Sequence, residues 1–157
     1  MLGSLKTFIS SLVENARLPN KFENKHCQLA TAALLIRVAT VDSEMSESRR
    51  RKLYGILKSS FELDDLTTIQ LIDDAAAADR SAINLYHFTR QLNDVLDDEG
   101  RRGIVKMMWE IIYVDGSANE YENNIIWRAA DLLGVSSRQR IELRQRIAAD
   151  SDVLAPS

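Results

Sequence analysis

Two short acidic segments hold the residues with the clearest chemical potential. Asp42, Glu44 and Glu47 fall within VDSEMSES, and Asp115, Glu120 and Glu122 within VDGSANEY. Carboxylates in tight bends suit hard divalent cations, which take oxygen ligands. If the two bends share one end of the molecule, Asp115, Glu122 and Asp42 would be ligands. Glu44 would add a fourth, and Gly116 would let backbone carbonyls approach the ion. The ion would be Ca²⁺, Mg²⁺, Mn²⁺ or Zn²⁺. DGSANEYE lacks the alternating acids and terminal bidentate Glu of a helix–loop–helix calcium site. The same residues also read as caps. Asn119 and Glu122 have capping-box spacing, Ser46 suits an N-cap, and capping and ligation are not exclusive.

Other chemistry is thinly supplied. His26 and Cys27 are adjacent, so on a helix they point about 100° apart and do not chelate together. His87 is the second of two histidines. No base and orienting acid accompany Cys27, which reads as a small buried residue in a reducing compartment. No phosphate loop, nucleophile elbow or paired-carboxylate signature occurs, so no catalytic residues, no enzyme and no organic cofactor are expected. Arg49-Arg50-Arg51-Lys52 and Arg138, Arg140, Arg144 and Arg146 read as solvated, salt-bridged helix faces. With net charge −3, nucleic acid is not an expected partner. No apolar run has the ~20 residues of a membrane span. The start of the chain does not read as a signal peptide, so the expected location is cytoplasmic. Peripheral membrane association stays compatible with an amphipathic first helix.

The elements that must position these residues are helices. Of 157 residues, 6 are Gly and 2 are Pro, which implies long regular elements. Leu2, Leu5, Phe8, Ile9, Leu12, Val13 and Ala16 form a stripe that ends at Pro19 and Asn20. Residues 29–41 (LATAALLIRVATV) and 104–114 (IVKMMWEIIYV) are apolar nearly all round, as buried helices are. Asp64 and Ser81 are expected caps, and Trp109 and Trp127 expected core. Ser136 or Ser137 starts a last helix ending near Ala149. No stretch alternates as a strand would. The expected fold is an all-α bundle of seven to eight helices, one domain over 1–150, with 151–157 frayed.

The chain also reads as doubled. Aligning Asp42 with Asp115 superposes VDSEMSES on VDGSANEY and Leu53-Tyr54 on Ile126-Trp127. After one inserted residue, FELD (61–64) falls on LGVS (133–136). Two tandem units, about 25–78 and 98–148, would pack with pseudo-twofold symmetry.

This doubled pattern of apolar helix, Val-Asp-Gly or Val-Asp-Ser and acidic helix start resembles the TerB-like family, named for tellurite-resistance protein B. The resemblance spans roughly residues 25–148. It is strongest in IVKMMWEIIYVDG and WRAADLLGVSS, and looks closest to a bacterial subfamily of short TerB-like proteins. The family pattern has Asp-Gly, then Glu seven residues after the Asp. The second unit matches at Asp115, Gly116 and Glu122. The first matches at Asp42, with Ser43 for the Gly and Arg49 in the Glu position, so Glu44 or Glu47 would have to supply the missing acid. The resemblance implies a helical bundle, an acidic metal-binding surface and a stress-response or membrane-associated complex, without implying a reaction. A protein–protein adaptor without metal is the alternative expectation.

Overall fold

The computed structural model describes residues 24–154, and the expected stripe at Leu2–Ala16 lies outside them. The described residues form seven α-helices and no strand. These are α1 (Lys25–Ala39), α2 (Glu47–Phe61), α3 (Asp65–Ser81), α4 (Tyr86–Val95), α5 (Asp98–Tyr113), α6 (Glu120–Leu132) and α7 (Ser137–Leu154).

The two apolar stretches become the centre. On α1, Ala30 and Ala32 to Leu35 are fully buried, and the helix touches α2, α3, α4, α5 and α6. On α5, Ile104, Val105, Met108, Trp109, Ile111 and Ile112 are likewise inaccessible, and α2, α6 and α7 pack on that helix. Each of the buried Leu, Ile, Val and Met side chains contributes on the order of 1.5–3 kcal/mol by leaving water. The one charge in the apolar stretch of α1 is led outward. Arg37 Nε reaches Asp79 Oδ1 at 2.7 Å, and its Nη2 donates to the carbonyls of Asp79 and Ala82 at 2.9 Å. The guanidinium thereby fastens α1 to the end of α3 and gives the carbonyls there a side-chain donor.

Local signals set most helix starts. Asn24, Ser46, Asp64, Asp97 and Asn119 each accept a backbone N–H of the first turn. Ser136 Oγ accepts from Gln139 N at 3.2 Å, ahead of α7. Asn119 and Glu122 close a reciprocal capping box. Two helix ends match closely. α2 ends on Glu62 and α6 runs out at Gly134, both with left-handed backbone (φ 53° and 74°). Two residues further on stand Asp64 and Ser136, the caps of the next helices.

Three expectations need correction. Ser81 caps nothing; it is the last residue of α3, and its hydroxyl turns back to Ala77 O at 3.1 Å. Asn84 does the corresponding work for α4, accepting from Tyr86 N at 3.0 Å. Trp127 is 47% exposed, whereas Trp109 is wholly buried. The inward stripe of α6 is Glu122, Ile125, Ile126, Ala129 and Ala130. Trp127 lies one residue, about 100°, off that line. Finally, α7 continues past Ala149 to Leu154.

Candidate functional site

The bends after α1 and α5 lie side by side, and each aspartate bonds the cap residue of the other bend. Asn119 Nδ2 donates to Asp42 Oδ2 at 2.8 Å, and Ser46 Oγ donates to Asp115 Oδ2 at 3.1 Å. In the alignment of Asp42 on Asp115, Ser46 is the counterpart of Asn119, so the two contacts are exchanged residue for residue. Ser48 Oγ adds a bond to Asp115 Oδ1 at 2.9 Å. Gly116 makes the second bend possible. Its φ of +95° is one that side chains rarely allow, and its N–H donates to Tyr113 O at 2.9 Å.

Arg49 occupies the middle of this arrangement. It comes from the first turn of α2 and is 7% exposed. Its Nη2 lies 2.6 Å from Glu122 Oε2, and its Nε 3.2 Å from Asp115 Oδ2. The Nε contact is a charge contact without hydrogen-bond alignment. Its Nη1 donates to Ala39 O at 3.1 Å, one of the open carbonyls at the end of α1. Glu122 is 4% exposed, and its other oxygen, Oε1, accepts from Asn119 N at 3.0 Å. Each carboxylate oxygen of Asp115 and Glu122 therefore has a donor within the chain.

Of the expected site residues, Asp42, Asp115, Gly116 and Glu122 meet in this one region. Glu44 is exposed in the first bend, where its carbonyl faces Ser43 Oγ at 3.4 Å. Glu47 turns to Arg51 at 3.5 Å on the outside of α2, and Glu120 is exposed. Among the described residues, no three His, Cys, Asp or Glu side chains stand close enough to hold a metal ion. Arg49 is the residue that the reading of a solvated basic run misses. Its neighbours in that run are exposed or half-buried, and Arg49 alone is buried. The usable signal was its register: Arg49 falls on Glu122 in the doubled alignment, opposite charges at one position.

The thiol and imidazoles do not join this site. Cys27 is buried in the core, and burial pushes its thiol above the usual range, which leaves it a poor nucleophile. His26 and His87 are exposed on α1 and α4. Arg101 pairs with Asp98, and Arg138 with Glu142 at 3.2 Å, the latter as a salt-bridged helix face. No helix among the described residues is long and apolar enough to cross a membrane.

No curated protein and no solved structure matches the chain significantly. A family model does: that of tellurite resistance protein TerB, over residues 28–145. The match takes in both apolar helices, both acidic bends and the Arg49 cluster between them, and by it the chain belongs to the TerB family.

Proposed function

We propose that this chain is a non-enzymatic, protein-binding TerB domain, an adaptor of a bacterial stress-response or membrane-associated complex, whose acidic bends are braced from inside by Arg49. The observation that carries this reading is the guanidinium between Asp115 and Glu122, 3.2 and 2.6 Å from their oxygens. A cation at that position balances the buried Glu122 and offsets part of the charge of Asp115, which is a share of the service a divalent ion would otherwise render. On this reading the donor set suits a guanidinium and not a metal ion. The oxygens of Asp115 and Glu122 are engaged, and an incoming ion would also meet a fixed positive charge. The exchanged contacts Asp42–Asn119 and Ser46–Asp115 support two duplicated units joined at their bends. The lone, buried Cys27 needs no oxidising compartment, and we infer a cytoplasmic setting.

Calorimetry tests the reading directly. Metal-free protein titrated with Ca²⁺, Mg²⁺, Mn²⁺ or Zn²⁺ is expected to give dilution heat alone. Saturable heat that disappears in Asp115→Ala would restore Asp42, Glu44, Asp115, Gly116 and Glu122 as a metal site. For the adaptor role, partners crosslinked to the chain in cells should be retained both under chelator and in Asp115→Ala.

A further inference from the structure

We propose that the groove between α2 and α5 is the partner-binding surface, and that its occupant is an acidic amphipathic helix of another protein. This inference rests on the adaptor reading and locates it. The groove has a volume of about 480 Å³ and is lined by residues of α2 and α5, which pack on each other. Ile56 and Met107 are its apolar residues, Ser59 and Ser60 supply hydroxyls, and Arg51, Lys52 and Lys106 supply positive charge against the single carboxylate of Glu110.

Charge selects the occupant. The chain as a whole carries −3, yet this groove gathers three cations and one acid. Those cations are lightly committed. Arg51 shares an exposed contact with Glu47 at 3.5 Å, and Lys52 reaches Glu110 only at 4.0 Å. Lys106 is exposed and has no ion-pair partner among the described residues. Surface pairs of this kind are weak and readily exchanged for a ligand's carboxylates.

Backbone accessibility selects the shape. Gly55 and Gly103 line the groove from the middle of their helices, where glycine is a poor helix former. At Gly100 the missing side chain has an internal reason, since a Cβ there would lie 3.2 Å from the Leu96 side chain. Gly55 and Gly103 have no such reason: a Cβ at either would meet nothing within 4 Å. Two bare stretches of helix facing one groove let a third helix approach closely and lay aliphatic side chains on Ile56 and Met107, with its acids toward the lysines.

The test is selection of a displayed library of random 16-residue peptides on the full chain. The best binders are then synthesised and measured by fluorescence anisotropy against wild type, Gly103→Leu and Lys106→Glu. Lys106 is exposed, so its variant keeps the fold even if the leucine variant does not. The expected result is enrichment of net-acidic peptides with Leu or Ile at helical spacing, bound at least tenfold more weakly by both variants. Enriched peptides that bind all three proteins equally would overturn the groove while leaving the adaptor reading standing. No enrichment, or enrichment of basic peptides, would overturn the groove as well. Binding to phosphatidylserine vesicles lost in Lys106→Glu, without peptide enrichment, would mean a membrane surface instead and would equally overturn the proposal.

Discussion

The two acidic bends share an aspartate, a cap residue and a register, and end in different chemistry. Both have an aspartate after an apolar helix and a cap residue four positions later that bonds the other bend's aspartate. They diverge at the seventh residue after the aspartate, where one has Arg49 and the other Glu122. Because the bends abut, that single difference turns two like-charged positions into an ion pair of 2.6 Å. Two acids there would repel unless an ion joined them, whereas an arginine supplies the counter-charge permanently. If our reading holds, a cation site and a brace would differ chiefly at this position of one scaffold.

Removing the guanidinium should produce the largest effect. In Arg49→Met, Glu122 stays buried with no counter-charge, and Ala39 O and Asp115 each lose a partner. Breaking a buried pair from one side costs about 3–5 kcal/mol, which urea unfolding reads as a lower midpoint. The double variant Arg49→Met/Glu122→Gln should recover part of the loss, because the amide oxygen still accepts the Asn119 N–H while the stranded charge is gone. A cost under about 1 kcal/mol in Arg49→Met would show that the pair does not brace the bends. Arg49→Glu sharpens the comparison, since it makes the two bends alike at that position. That variant should be destabilised in chelator, and millimolar Ca²⁺ should raise its unfolding midpoint while leaving wild type unmoved. No calcium shift in Arg49→Glu would mean that charge alone does not separate the two chemistries.

The exchanged cap contacts should give intermediate effects, and unequal ones. Asn119 accepts from Glu122 N at 2.9 Å, donates to Asp42, and has its own N–H held by Glu122. Ser46 accepts from Arg49 N at 3.2 Å and donates to Asp115, which keeps Ser48 and Arg49 as partners. Asn119→Ala should therefore cost about 1–2 kcal/mol and Ser46→Ala about 0.5–1 kcal/mol, within the range of N-cap losses. Equal costs would mean that the bonds between the bends add nothing beyond ordinary capping.

Features that depend on local chemistry were legible in the sequence; those that depend on an angle or a distant partner were less so. Residues 29–41 and 104–114 are apolar nearly all round, the mark of a largely buried helix. The caps Asp64, Asn119 and Ser136 act within three residues of themselves, so spacing suffices to find them. Trp127 departs from expectation because apolar neighbours along the sequence do not fix a side, and the burial of a helical residue is decided by a turn of 100°. Ser81 failed because a serine hydroxyl serves a helix end as well as a start, and here it closes the last turn of α3. Arg49 was visible as an exception to a pattern. That its guanidinium reaches Glu122 required knowing that the two bends touch, which residues so far apart in sequence do not reveal.

The smallest effect separates capping by charge from capping by shape. Asp64 and Ser136 fall at matching positions, each capping a helix that follows a left-handed residue. Asp64 is charged, and its hydrogen bonds to Thr67 hold its carboxyl below the usual carboxylate range. Asp65 beside it is lowered in turn by its bonds to Lys58 and Tyr54. A carboxyl with a lower pKa folded than unfolded adds stability above the unfolded value, and that stability is lost as pH falls through the folded one. Asp64→Asn keeps an accepting oxygen and removes the titration. Wild type should therefore have the higher urea midpoint near neutrality, and the gap should close as pH drops below about 4. The helix dipole favours the same sign, since a negative charge at the start of α3 faces its positive end. A gap that persists unchanged at pH 3 would mean that the aspartate acts by shape alone, as Ser136 does at the start of α7.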